Sequence, residues 1–298
     1  MKKIIFTGLL LAGLHSLLMA QDSTAVFKTV SSLQEALATA KKEHKMLFVD
    51  CYFQGCAPCA QMDREVFPNS TVRPALEKDF IPVKVDVYKN KWGDSIAMQY
   101  AVSGFPSLLV LNEDGKLISR VTGYKDAGQF LQLLAESKTK NHQQRYLTGF
   151  GTPGADNSPA YYKESYRQNK STQVEASKFI RAQKDWLEDK TGFAILTSQN
   201  LDKDVEDFLI KNYQAFIDKY GAELVQYRIE RILVNRMTSA VHRQKNEPAF
   251  QQFLKEYESY FPKAYWKNCL QVLATAYYVD IAKDTTAYLQ FMRHLKKA

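Results

Sequence analysis

Two of the chain's four cysteines stand three residues apart, in Cys56-Ala57-Pro58-Cys59. Where such a pair opens a helix that follows a buried strand, the first sulfur lies among unpaired backbone amides at the positive end of the helix dipole, which stabilises its thiolate. A thiolate is the species that attacks a disulfide, and a second thiol one turn on can displace the mixed disulfide so formed. This reading makes Cys56 the exposed nucleophile and Cys59 the resolving thiol. Pro58 falls in the first helical turn, where a missing amide hydrogen costs little. The remaining cysteines, Cys51 and Cys269, are isolated. Four cysteines are too few to staple a chain of 298 residues, so the pattern leaves redox chemistry or a metal. Sulfurs of Cys51, Cys56 and Cys59 with a histidine such as His44 are a ligand set that suits zinc or copper. No second ligand pair stands at a standard spacing, so neither a metal nor a bound cofactor is expected. Cys51 reads instead as a buried free thiol, which alternation along a strand sends to the face opposite Asp50. Cys269, beside Trp266 and Leu270, reads as core.

The elements that would hold this pair can be read from residues 26 to 136, where helical and strand patterns alternate. Ser31 or Ser32 caps a helix that runs through Lys42, with Leu33, Ala36, Leu37 and Ala40 as its apolar stripe. Met46 to Tyr52 is a nearly continuous apolar run, as expected of a strand covered on both faces. The cysteine pair follows it and opens a helical stretch to about Phe67. Asn69 or Ser70 then caps a second helical piece toward Lys78. Ile81, Val83, Val85 and Val87 alternate in a strand over 80–87, and a helical stretch separates it from another strand over 107–112. Glu113-Asp114-Gly115-Lys116 supplies a hairpin turn to a partner strand over 117–121. Asp126 opens a last helix containing Phe130, Leu133 and Leu134. A strand joined through a helix to the next implies a parallel pair, and the hairpin adds antiparallel strands at one edge.

Taken in order, Phe48-Val49-Asp50, Cys56-Ala57-Pro58-Cys59, Gly104-Phe105-Pro106-Ser107, Asp114-Gly115 and Gly123 resemble the thioredoxin superfamily over roughly residues 26 to 138. Met62, Val66-Phe67 and the break before Ser70 look most like the C-terminal periplasmic domain of the thiol:disulfide interchange protein DsbD. The resemblance implies further roles. Pro106 matches the family's cis-proline, beside the cysteines, where it shapes the substrate groove; the plain alternative is a trans proline entering a strand. Asp50 matches the buried acid that assists proton transfer at the resolving cysteine, and burial would raise its pKa; the alternative is a capping or surface aspartate. Gly55, Ala57, Pro58 and Phe105 would then line the groove. Three positions depart from the family pattern. Gly55 replaces the usual tryptophan, Phe105 is bulky for the residue before the cis-proline, and the lysine that often accompanies the acid is unmatched, with Pro82 read at its position.

Lys2 and Lys3, the apolar run from Ile4 to Met19 and the small residue Ala20 form the pattern of a secretory signal peptide over residues 1–20. An uncleaved anchor is the alternative, but the run is short for a span. The expectation is export to a periplasm or similar space, with no stable membrane span after cleavage. The net charge of +8 is spread among acidic residues without a basic stripe, which argues against nucleic-acid binding. Residues 21–145 read as the thioredoxin-like domain. Gly149, Gly151, Pro153, Gly154 and Pro159 read as a linker into an α-helical domain over 146–298, where Phe208, Leu209, Tyr213, Phe216, Ile217 and Tyr220 repeat at helical spacing, as do Phe250, Phe253, Leu254, Tyr257 and Phe261. The fold class expected is therefore an α/β thioredoxin-like domain, a central mixed sheet flanked by helices, followed by an all-α domain. The function expected is an exported thiol–disulfide oxidoreductase, a reductase of protein disulfides since Ala57-Pro58 is close to the reducing type. Its partners would be protein thiol or disulfide substrates and a redox partner protein. The rival is a redox-regulated module that binds proteins or peptides through the helical half.

Overall fold

Seven residues of β1, Met46–Tyr52, are buried save the last, because helices cover both faces of the sheet that β1 centres. The computed structural model describes residues 26–168 and 173–297; the expected signal peptide lies outside the described residues. Strands β1, β2 (Phe80–Asp86), β3 (Ser107–Leu111) and β4 (Leu117–Thr122) form one sheet in the order β2-β1-β3-β4. β1 and β2 are parallel, while β1/β3 and β3/β4 are antiparallel, which is the mixed sheet the sequence implies.

Helix α1 (Leu33–Glu43) starts at Ser32, whose hydroxyl accepts from the Glu35 amide at 3.1 Å, and ends at His44 in the left-handed region. α2 (Ala57–Glu65) follows β1 directly. α3 (Val72–Asp79) is capped at Thr71, one or two residues later than expected, because Asn69 spends its carboxamide oxygen on the Thr71 amide and hydroxyl in a turn of its own. α4 is Lys91–Gln99, and α5 (Ala127–His142) opens with a capping box between Asp126 and Gln129. Packed against one sheet face are α2, α3 and α5, with Phe48, Phe67 and Phe130 meeting edge to face at 5.3 to 6.2 Å. The opposite face, carrying Leu47, Val49, Cys51, Ile81, Val83 and Val85, packs against α1 and α4.

That second core layer does not stop at the sheet's own helices. The stretch whose glycines and prolines suggest a linker forms a 3-10 turn over Thr148–Phe150 and a short ribbon, β5 (Gly151–Thr152) with β6 (Ala155–Asp156). Phe150 is fully buried, with its ring 6.1 Å from Tyr100 of the sheet's helical layer, 6.1 Å from Phe193 and 5.5 Å from Tyr220. Gly149 is needed because a Cβ there would run into the Tyr220 ring. The segment is thus a packed plug. Its composition records backbone requirements, positive φ at Gly151 and Gly154 among them, rather than freedom.

Beyond the plug the chain is helical: α6 (Ala160–Gln168), α7 (Gln173–Arg181), α8 (Asp189–Thr197), α9 (Lys203–Lys211), α10 (Tyr213–Tyr220), α11 (Ala222–Ala240), α12 (Glu247–Tyr257), α13 (Lys263–Ala274), a π-helical stretch over Thr275–Ile281, and α14 (Thr285–Lys297). The repeat from Phe208 to Tyr220 is two helices and not one, since the backbone leaves helical geometry at Asn212 (φ −107°, ψ 19°). Phe216, Tyr220, Phe250 and Phe253 are buried, so the aromatic stripes are core. Among the described residues no helix is long and apolar enough to cross a membrane.

Candidate active site

The end of β1 and the start of α2 place the cysteines as a helix opening. Gly55 turns the chain with φ +98°, a conformation that disfavours any side chain even though space for one exists. The Cys56 amide then donates to the Phe53 carbonyl at 3.2 Å. Cys56 is the N-cap of α2, its sulfur accepting from the Cys59 amide at 3.2 Å, and Pro58 sits in the first turn. Cys56 and Cys59 are disulfide-bonded, with Cα atoms 5.3 Å apart. The exposure expected of Cys56 does not hold in this disulfide form: it is 6% exposed against 2% for Cys59, while Gly55 and Ala57 beside it are open to solvent.

Asp50 is 1% exposed and lies on the sheet face that α2 covers, the face of Phe48 and Met62. Directly across the parallel ladder stands Lys84. Its ammonium is 3.4 Å from Asp50 Oδ2 and is paired with Asp63. Asp63 is four residues after Cys59, so it shares that cysteine's side of α2. Lys84 therefore ties the acid on β1 to the helix that carries the disulfide. The Lys84 ammonium also lies 4.6 Å from the Tyr52 ring centroid and 5.6 Å from that of Phe27. Neither Asp50 oxygen accepts a hydrogen bond from a described residue. Burial pushes the Asp50 carboxyl up to about 6; the Lys84 charge pulls against that rise, and Asp63 adds to it. A carboxyl so placed can take or give a proton near neutral pH.

The lysine corrects the sequence comparison. Pro82 lies across from Phe48, one pleat away from the acid, and Lys84 fills the position left unmatched. A slip of two residues keeps every side chain on its own face, so alternation gives no warning of it. The proline is tolerated because β2 is an edge strand. Asp63 and Asp86 also escape the sequence reading. Asp86, the last residue of β2, is buried, and its carboxylate accepts from the amides of Gln54 at 3.1 Å, Tyr88 at 3.0 Å and Lys89 at 3.2 Å. It thereby binds the loop before the disulfide to the loop after β2.

The register of Cys51 opposite Ser107 brings the start of β3 to the disulfide end of β1. The Phe105–Pro106 peptide bond is cis, and the Pro106 carbonyl accepts from the Gly123 amide at 2.7 Å. The Phe105 ring lies 5.0 Å from that of Phe53. Cys51 is a buried free thiol on the face away from Asp50, and burial holds it well above the usual thiol range. Cys269 is likewise buried and free, pushed up to about 12 chiefly by burial. The alternative metal set does not assemble. Cys51 points to the other face, and His44 precedes β1 while Cys56 follows it, a strand length of roughly 20 Å away.

Residues 33–138 match the family model described as a thioredoxin-like domain. Over 122 residues the chain is 33% identical to the thiol:disulfide interchange protein DsbD of Pseudomonas fluorescens, covering 40% of this chain and 21% of that one. Over 110 residues it is 31% identical to the DsbD of Actinobacillus pleuropneumoniae, covering 36% and 18%. The chain thus spans about a fifth of the length of these relatives. Among solved structures it is similar to a putative disulphide-isomerase from Bacteroides thetaiotaomicron (33% identity, 38% of this chain and 91% of that one, TM-score 0.35). It is also similar to a thioredoxin from Thermus thermophilus (28% identity, 37% and 85%, TM-score 0.34).

Proposed function

From the thioredoxin-like domain at residues 33–138 we propose that the chain is an exported thiol–disulfide oxidoreductase that reduces disulfides of other proteins. The observation that carries the reading is the placement of the Cys56–Cys59 disulfide at the opening of α2, over the sheet face that holds Asp50 and Lys84. In the dithiol form, the Cys56 thiolate attacks one sulfur of a substrate disulfide. A mixed disulfide forms, and the substrate's other sulfur leaves as a thiolate that takes a proton from water. Cys59 then loses its proton to the Asp50 carboxylate and attacks Cys56 Sγ. The second substrate thiol is released, and Cys56–Cys59 closes again as the disulfide. The substrate gains two electrons and two protons, and a dithiol redox partner must return them to the cysteine pair. Pro106, the exposed Gly55 and Ala57, and the half-buried Pro58 and Phe105 border the approach. The leader pattern over residues 1–20 supports export. The division into a domain at 21–145 and a helical domain at 146–298 goes with this reading, the helical part being carried on the sheet face away from the disulfide.

Substituting Cys59→Ala tests it. Without the resolving thiol, partners should accumulate as mixed disulfides through Cys56, visible as reductant-sensitive adducts. No adduct, together with no reduction of insulin by the unsubstituted protein, would sink the enzymatic reading in favour of non-covalent binding.

A further inference from the structure

Tyr88 is 69% exposed, the most exposed of the large hydrophobic side chains among the described residues, and it does not stand alone. Its ring lies 5.7 Å from that of Phe53 and 5.9 Å from that of Phe105, and those two rings meet edge to face at 5.0 Å. Three aromatic rings therefore share one partly open cluster. Phe53 is three residues before Cys56 and accepts its amide hydrogen, and Phe105 precedes Pro106, so the cluster borders the disulfide. The cluster is also pre-organised. The buried Asp86 carboxylate takes the amides of Gln54, Tyr88 and Lys89, fixing the loop of Phe53 against the loop of Tyr88 before any substrate arrives. On the far side of Tyr88 a cleft of about 610 Å³ runs past Asn90, Lys91 and Ser95 to Tyr166 of α6.

Partly open aromatic rings held rigid next to a reaction centre, with Tyr88 exposed, cost apolar exposure that a purely structural cluster avoids by burial. Their use is recognition: aromatic side chains give large contact area with few torsions to freeze and favour other rings edge-on. Resting on the oxidoreductase reading above, we propose that Phe53, Tyr88 and Phe105 form a specificity platform that selects polypeptide disulfides bearing an aromatic side chain next to the reacting cysteine. Asp86 is the positioning residue of this platform.

The test uses the reduced protein and two peptides that differ only in Phe or Gly beside their single cysteine, each carrying that cysteine as a mixed disulfide with thionitrobenzoate. The protein dithiol becomes the Cys56–Cys59 disulfide while the peptide thiol and coloured thionitrobenzoate are released, so electrons balance and the rate is read directly. Rates are normalised to those of dithiothreitol on the same peptides. One ring–ring contact supports a preference of about tenfold for the Phe peptide. Tyr88→Phe should keep that preference, and Tyr88→Ser should bring it toward parity. Equal rates on the two peptides, or a full preference surviving in Tyr88→Ser, overturn the platform alone. No reaction with either peptide overturns the oxidoreductase reading and the platform with it.

Discussion

Replacing Asp50 by Asn should change how stability depends on pH in a way that isolates the buried acid. An aspartate in the unfolded chain ionises near 3.8, and in the folded protein burial pushes Asp50 up to about 6. Between those values the folded state holds a proton that the unfolded state has released. Stability must therefore fall as pH rises through that window, the opposite of the usual salt-bridged carboxylate. Each pH unit of difference corresponds to about 1.4 kcal/mol, so the window amounts to roughly 3 kcal/mol. The carboxyl is 1% exposed, so solvent screening takes little from this figure. Asn at position 50 has the same shape and no ionisation. The difference in unfolding free energy, Asp50 protein minus variant, should decline by roughly 2–3 kcal/mol from pH 4 to pH 8, most steeply near 5, between the two ionisations, and level off above about 6.

The assay is urea denaturation of both proteins in the disulfide form, which keeps the Cys56 and Cys59 thiols out of the titration. A flat difference across pH 4 to 8 would mean that Asp50 ionises in the folded protein as it does in water, and burial would then not govern the acid. A difference that grows with pH would mean that the Lys84 charge outweighs burial, which reverses the order of causes. If Asp50 accepts the Cys59 proton, the rate at which mixed disulfide is resolved should also show an inflection near 6 that the Asn variant lacks.

Removing the ammonium in Lys84→Met takes away a positive charge beside Asp50 and leaves Asp63 facing it, so the pH at which the same difference curve levels off should rise by roughly one unit or more. Phe150→Ala should cost about 3–5 kcal/mol in denaturant unfolding, since it opens a cavity among Tyr100, Phe193 and Tyr220; a loss below about 1 kcal/mol would mean that the plug does not join the two halves. After reduction and native treatment with iodoacetamide, mass spectrometry should find Cys56 modified while Cys51 and Cys269, both buried and held protonated, react only after denaturation.

Much of the fold is legible in the sequence because it rests on local chemistry. Ser32 and Asp126 cap the helices they are expected to open, and the apolar run over 46–52 is the central strand. The cysteine pair and Asp50 lie six residues apart across a strand end and a turn, a separation short enough for sequence to constrain. Lys84 escapes such a reading because its role depends on register between two strands 34 residues apart, and register within one face is invisible to alternation. Asp86 escapes it for a related reason: a carboxylate that collects three backbone amides looks in sequence like any loop aspartate. The glycines and prolines after Tyr146 mislead in the other direction. They mark unusual backbone angles, which a flexible linker and a tightly packed plug both require.

Adjacent residues of β1 divide the work of the two sheet faces. Asp50 points into the layer of α2, where its charge is governed by burial, Lys84 and Asp63. Cys51 points into the layer that continues through Phe150 to the helical region. Because the helices attach to that second layer, they add apolar core without covering the disulfide, and the open side of the site stays open. Among the described residues, the helical region reaches the flank of the site at Tyr166, across the cleft from Tyr88. Any influence of the helical region on substrate choice should therefore enter through the path from Tyr166 to Tyr88. The chemistry of the cysteine pair should depend instead on Asp50, Lys84 and Asp63, on the other side of the sheet. Substitutions at the two groups should accordingly separate, the first changing which disulfides react and the second changing how their rates respond to pH.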